Sequence, residues 1–283
     1  MKKVIFVFFV FILSIVVVGC SNTTEQEARL NIAVTIVPEE AFVKNVGGDY
    51  VNVLTIIPPG YSPANHEPSA KMMADLSKVD AYFAIGVPAE EGNIFPKVTD
   101  LNLIKLHEEV VKVYPDREFA PDNRDPHIWL SIKRVKVMIE IIADELSRLD
   151  PDMESYYQEN ASNYLEDLDE LDQKIIDVFN DKESNMFMIF HPSLGYFSED
   201  YDLMMYALEL DGKEATINHL QEMIDLALAN NIHTVFHQAE IDSEQVQSFI
   251  EEIDGELVKI NPLSSDYIDN LFDIALKIGD SLS

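Results

Sequence analysis

The sequence predicts an α/β fold of two lobes, each a parallel sheet flanked by helices, joined by a long connecting helix with a cleft between them. Short β-branched runs alternate with helical patterns in both halves of the 283 residues, and that alternation gives parallel sheets covered on both faces. A central stretch keeps helical spacing for about 30 residues, far longer than an ordinary globular helix. With one cysteine in the chain no internal disulfide can form, so the core must hold by burial alone. Roughly 255 residues beyond the leader are enough for that, and enough for two domains.

The elements follow in order. Lys2 and Lys3 precede the apolar run "VIFVFFVFILSIVVVG", then Gly19 and Cys20. This reads as an export signal, shorter than the about 20 apolar residues of a membrane span. "VVGC" resembles the bacterial lipoprotein signal, which implies cleavage before Cys20 and its lipidation. Residues 1–19 are then signal peptide, 20–29 a polar tether, 30–150 a first lobe, 151–182 the connecting helix and 183–283 a second lobe. Strands are expected in "LNIAVTI", "VNVLTII", "AYFAIG" and "NLIKL" of the first lobe, and in "MFMIF", "LMMYALEL", "HTVF" and "ELVKI" of the second. In the connector Tyr156, Ala161, Tyr164, Leu168, Leu171 and Ile175 fall mostly at spacings of three and four, behind Pro151, which suits a first helical turn. "VGGDY" lacks phosphate-loop spacing and lies between a helix and a strand, the wrong order.

The formal charge is −31. Such a surface repels nucleic acid and anionic headgroups and attracts cations.

Ligands of open α/β sheets bind outside the carboxyl ends of the strands, so the polar residues that follow strands are the candidates. His66 and Glu67 follow the second run, His191 follows "MFMIF", Gln238 and Glu240 follow "HTVF", and Asn261 follows "ELVKI". His127, in "DPHIWLS", lies where Asp125 can cap a helix and Pro126 can open its first turn. A helix amino end disfavours imidazolium, leaving a neutral ring able to ligate a metal; a capping or packing role fits the same residue. His107, His219 and His233 read as surface residues, and strand alternation need not point His237 toward the cluster.

Taken together, "PPGYSPANHEP", "LSKVDAYFAIG", "DPHIWLS", "FHPSLGYFSEDYDL" and "INPLSSDYI" resemble, in order and spacing, the metal-binding lipoprotein or periplasmic components of zinc and manganese ATP-binding-cassette importers. The resemblance covers essentially the whole mature chain. It implies two α/β lobes joined by a long helix, with a divalent metal between them, and it carries over His127 and His191 as ligands. Two positions depart from the pattern: the histidine of Pro-His-x-x-Glu-Pro falls on Ala64, with His66 two residues on, and a carboxylate position holds Asn261. The expected shell is therefore His66, His127, His191 and Glu240.

Three nitrogens and one oxygen suit Zn2+, whereas a shell completed by Gln238 or Asn261 oxygens would admit Mn2+. The expected function is capture of the ion outside the cytoplasm and delivery to a membrane permease, by a monomeric lipid-anchored carrier that is not an enzyme. A metal-dependent hydrolase is the first alternative, but no HExxH pair is present. A carrier of an iron chelate is the second, and an adhesive role leaves no mark in the sequence.

Overall fold

The computed structural model describes residues 29–210, 213, 215–238 and 244–282. Residues 1–19, expected to be a signal peptide, and Cys20 and Glu240 lie outside the described residues. No helix among the described residues is long and apolar enough to cross a membrane.

The first half runs β1 (Leu30–Val34), α1 (Val37–Gly47), β2 (Val51–Thr55), α2 (Ala70–Leu76), β3 (Ala81–Ala84), β4 (Leu103–Lys105) and α3 (Leu106–Val110). Its parallel sheet has the order β2-β1-β3-β4, with Leu30 opposite Val51 and Ile32 opposite Ala81. Ala81 to Ala84 are wholly buried, as a strand covered on both faces requires. A short antiparallel pair, β5 (Glu118–Ala120) and β6 (Asn123–Arg124), follows.

Next come α4 (Ile132–Leu149) and α5 (Glu154–Phe179), the latter preceded by a 3-10 turn at Pro151–Met153. Helix α4 buries Ile132, Val135, Met138, Ile139, Ile142 and Leu146, the three-and-four spacing of an apolar stripe. Helix α5 is 26 residues long, about 39 Å at 1.5 Å per residue. It packs on α4 and α1 and, further along, on the last helix of the chain, so it touches both halves. Its buried stripe starts at Tyr157 rather than the expected Tyr156; the Tyr156 ring stands edge-on to Tyr50 instead, with centroids 5.0 Å apart.

The second half repeats the topology with β7 (Met186–Ile189), α6 (Gly195–Asp200), β8 (Met204–Ala207), α7 (Ile217–Ala229), β9 (Thr234–Gln238), α8 (Glu244–Glu252), β10 (Glu256–Ile260) and α9 (Tyr267–Ser281). The parallel order is β10-β9-β7-β8, so each sheet reverses direction beside its first strand. Every expected strand is present.

One hydrophobic core joins the halves, running from Ile32 and Phe83 through Trp129, Leu168 and Leu171 to Phe187, Phe236 and Leu271. Polar ties reinforce it. The Trp129 indole donates to the Pro262 carbonyl at 2.9 Å, and the Tyr267 hydroxyl donates to the Trp129 carbonyl at 2.8 Å.

Candidate metal centre

Each sheet offers a crevice where its strand order reverses, between β1 and β3 and between β7 and β9. In the first sheet that place is filled from within. Thr35, just past β1, hydrogen-bonds the Tyr82 hydroxyl and donates to Glu90, whose carboxylate also accepts the backbone N–H groups of Ile85 and Gly86. Burial raises Glu90 to about 7, and burial together with the Glu90 charge drives Glu39 well above the usual carboxylate range. In the second sheet His191 and Gln238 stand at the reversal and face open space.

His127 reaches that space from the first half. It caps a single 3-10 turn, Ile128–Leu130, and helix α4 starts only at Ile132. The expected helix dipole is therefore not what keeps the ring neutral. Burial lowers the His127 pKa, against the opposing pull of Asp125. The buried Asp125 carboxylate accepts the His127 backbone N–H at 3.0 Å and bonds ring Nδ1 at 2.7 Å through the same oxygen, and Arg117 holds its other oxygen at 3.1 Å. Trp129 packs beside the imidazole, centroids 5.1 Å apart.

His191 is held the same way: Glu209, just past β8, bonds its Nδ1 at 2.6 Å. A carboxylate on Nδ1 fixes the tautomer and leaves the Nε2 lone pair free, the arrangement that backs metal-bound histidines. The two rings meet edge to face with centroids 5.2 Å apart and planes at 73°. Imidazoles sharing one tetrahedral ion, each with nitrogen at about 2.1 Å, have ring centres roughly 5 Å apart.

The cavity they border has a volume of about 240 Å³, and Phe119, Arg124, Lys213, Gln238 and Leu263 help line it. A larger groove of about 660 Å³ lies at the amino end of the second sheet, beside Phe179, Asn185 and Asp202, and no described histidine borders it.

The remaining expectations separate. Ala64, where the sequence pattern calls for histidine, lines the cavity, as do Ser62 and Pro63. The His66 ring does not line it and packs edge-on against Tyr61, centroids 5.1 Å apart. Asn261 faces its own loop, accepting the Leu263 N–H at 3.1 Å. Among the described residues no group of three or more His, Cys, Asp or Glu could hold an ion. His107 is not the surface residue expected. It lies half-buried beside Gly86, and burial and the Arg124 charge lower its pKa to about 4. Sequence reasoning passed over Glu209 because it falls inside the expected strand "LMMYALEL"; the strand ends at Ala207, which leaves Glu209 just past it.

A family model described as zinc-uptake complex component A, periplasmic, matches residues 32–279. The chain belongs to this family. Zinc-binding lipoprotein AdcA of Streptococcus pneumoniae is 27% identical over 88% of this chain and 53% of its own length. The chain thus spans about half of that relative. Manganese-binding lipoprotein MntA of Halalkalibacterium halodurans is 28% identical over 86% of the chain and 83% of MntA. A crystal structure of ZnuA superposes with a TM-score of 0.84 at 31% identity, covering 90% of this chain and all of that one.

Proposed function

We propose that the protein captures a divalent transition metal outside the cytoplasm and passes it to the permease of an ATP-binding-cassette importer, anchored to the membrane through a lipid on Cys20. The observation that carries this reading is the convergence of His127 and His191 from opposite halves, each with Nδ1 tied to a carboxylate and Nε2 free. Two imidazole nitrogens favour Zn2+ over the oxygen-preferring Mn2+. The names of the relatives, a zinc-binding and a manganese-binding lipoprotein, are consistent with either ion. His66 and Glu240 are the proposed further donors, His66 by rotation of its loop and Glu240 from two positions beyond Gln238 in the sequence. The strongly negative chain would draw cations toward the cleft.

The test is elemental analysis of tag-free protein after zinc loading and desalting. One zinc per chain is expected, with retention lost by at least about tenfold, or 1.4 kcal/mol, in His127→Ala and in His191→Ala. Full retention in both variants would refute the reading. His66→Ala and Glu240→Ala, run alongside, decide whether those side chains contribute.

A further inference from the structure

This inference rests on the metal-capture reading and adds a residue to its site. We propose that Tyr196 is a positioning residue: its hydroxyl ties the second half of the chain to the segment that carries His127, and so sets the spacing at which the two imidazoles meet an ion.

Each ring is oriented within its own half, His127 by Asp125 and His191 by Glu209. Neither carboxylate fixes one ring against the other. Tyr196 spans that gap. It lies on α6, joined to His191 by a turn in which the Ser193 N–H donates to the His191 carbonyl at 2.7 Å. From a wholly buried ring its hydroxyl reaches into the first half, where it accepts the Arg117 backbone N–H at 2.9 Å and donates to the Asp125 carbonyl at 3.1 Å. Asp116 Oδ1 and the Arg117 carbonyl stand farther off, at 3.4 and 3.5 Å. The phenol is thus anchored to the same residue that orients the His127 ring.

Neighbouring contacts keep this tie in place. Glu199, three residues along α6, pairs with Arg117 Nε at 3.3 Å, while Arg117 Nη1 bonds Asp125 Oδ2 at 3.1 Å. The buried Arg134 guanidinium of α4 lies 4.2 Å from the Tyr196 ring centroid, a cation held over an aromatic face, and it donates to the Pro115 carbonyl at 3.0 Å. Metal–nitrogen distances tolerate only about 0.2 Å of error. Two rings already held at the right spacing lose little freedom when the ion arrives. Without the hydroxyl the core still joins the halves, but the rings sample a wider range of separations, and the ion must narrow that range at a cost in affinity.

The experiment compares Tyr196→Phe, which keeps the ring under Arg134 and removes only the hydroxyl, with Tyr201→Phe. The latter loses a hydrogen bond to Asp172 of α5, at 2.7 Å, that involves neither histidine segment. Three quantities are measured on tag-free protein: the melting temperature without metal, the zinc dissociation constant by chelator competition, and the visible spectrum of the Co2+-loaded form, whose d–d bands report ligand geometry. Both variants are expected to melt lower than the wild type. Only Tyr196→Phe is expected to weaken zinc binding, by at least about tenfold, and to shift the Co2+ bands. Wild-type affinity or an unchanged spectrum in Tyr196→Phe, or an equal loss of affinity in Tyr201→Phe, would make Tyr196 a packing residue and overturn the inference while metal capture stands. If the wild type retains neither zinc nor Co2+, the metal-capture reading fails and takes this inference with it.

Discussion

At the scale of single residues, the site depends on what stands behind each imidazole. Glu209 fixes the His191 ring at 2.6 Å, so Glu209→Gln is expected to weaken zinc retention roughly 10- to 100-fold without removing a ligand; equal retention in a competition titration against a chelator would contradict that role. His107 supplies a pH prediction. Its pKa falls to about 4 in the fold against about 6.5 unfolded, so below pH about 6.5 the unfolded chain binds a proton that the folded chain refuses, and stability drops as pH falls toward 4. His107→Leu should flatten that part of the melting-temperature profile, and an unchanged slope between pH 6.5 and 4 would count against it. Glu90 acts with the opposite sign: its raised pKa gives stability that is full below about 4.5 and lost as pH rises through about 7. How much of the site was legible varies by residue. His127 and His191 could be found because strand ends and a helix-start motif mark them. The orientation of His66 could not, because a loop ring chooses between the cavity and a neighbour such as Tyr61 by packing that no local pattern encodes.

At the scale of elements, the eight strands were readable because parallel strands buried on both faces are nearly continuous apolar runs. The connecting helix was readable from its stripe. The β5–β6 pair was missed, since "REFAPDNR" has no alternating pattern, although Phe119 and Asn123 from this pair line the cavity. Gly195, at the start of α6, shows how one element sets the position of another. A Cβ there would come 2.6 Å from Asp125 Oδ2 and 2.5 Å from Arg117 Nη1, so Gly195→Ala must push back the carboxylate that orients His127. The expected outcome is weaker zinc retention with both histidines intact, read by the same chelator competition; wild-type affinity would show that the contact is relieved elsewhere. In α5, Leu168 is fully buried and Leu168→Ala should cost about 2–5 kcal/mol of stability, read by denaturant unfolding.

At the scale of the whole molecule, the continuous core and the Trp129–Pro262 and Tyr267–Trp129 hydrogen bonds tie the halves together. Cleft opening is therefore expected to be a small rocking motion, and the protein should unfold in one cooperative transition. A ligand that binds only the folded state adds about 2.7 kcal/mol at a hundred times its dissociation constant, so zinc should raise the melting temperature of the wild type. It should leave His127→Ala/His191→Ala unmoved. The central claim, that one ion is shared by imidazoles from both halves, is tested most directly by anomalous diffraction at the zinc edge from zinc-loaded crystals. The account predicts a single peak within about 2.0–2.1 Å of Nε2 of both His127 and His191. A zinc peak touching only one of these rings, or lying elsewhere on the protein, would contradict it.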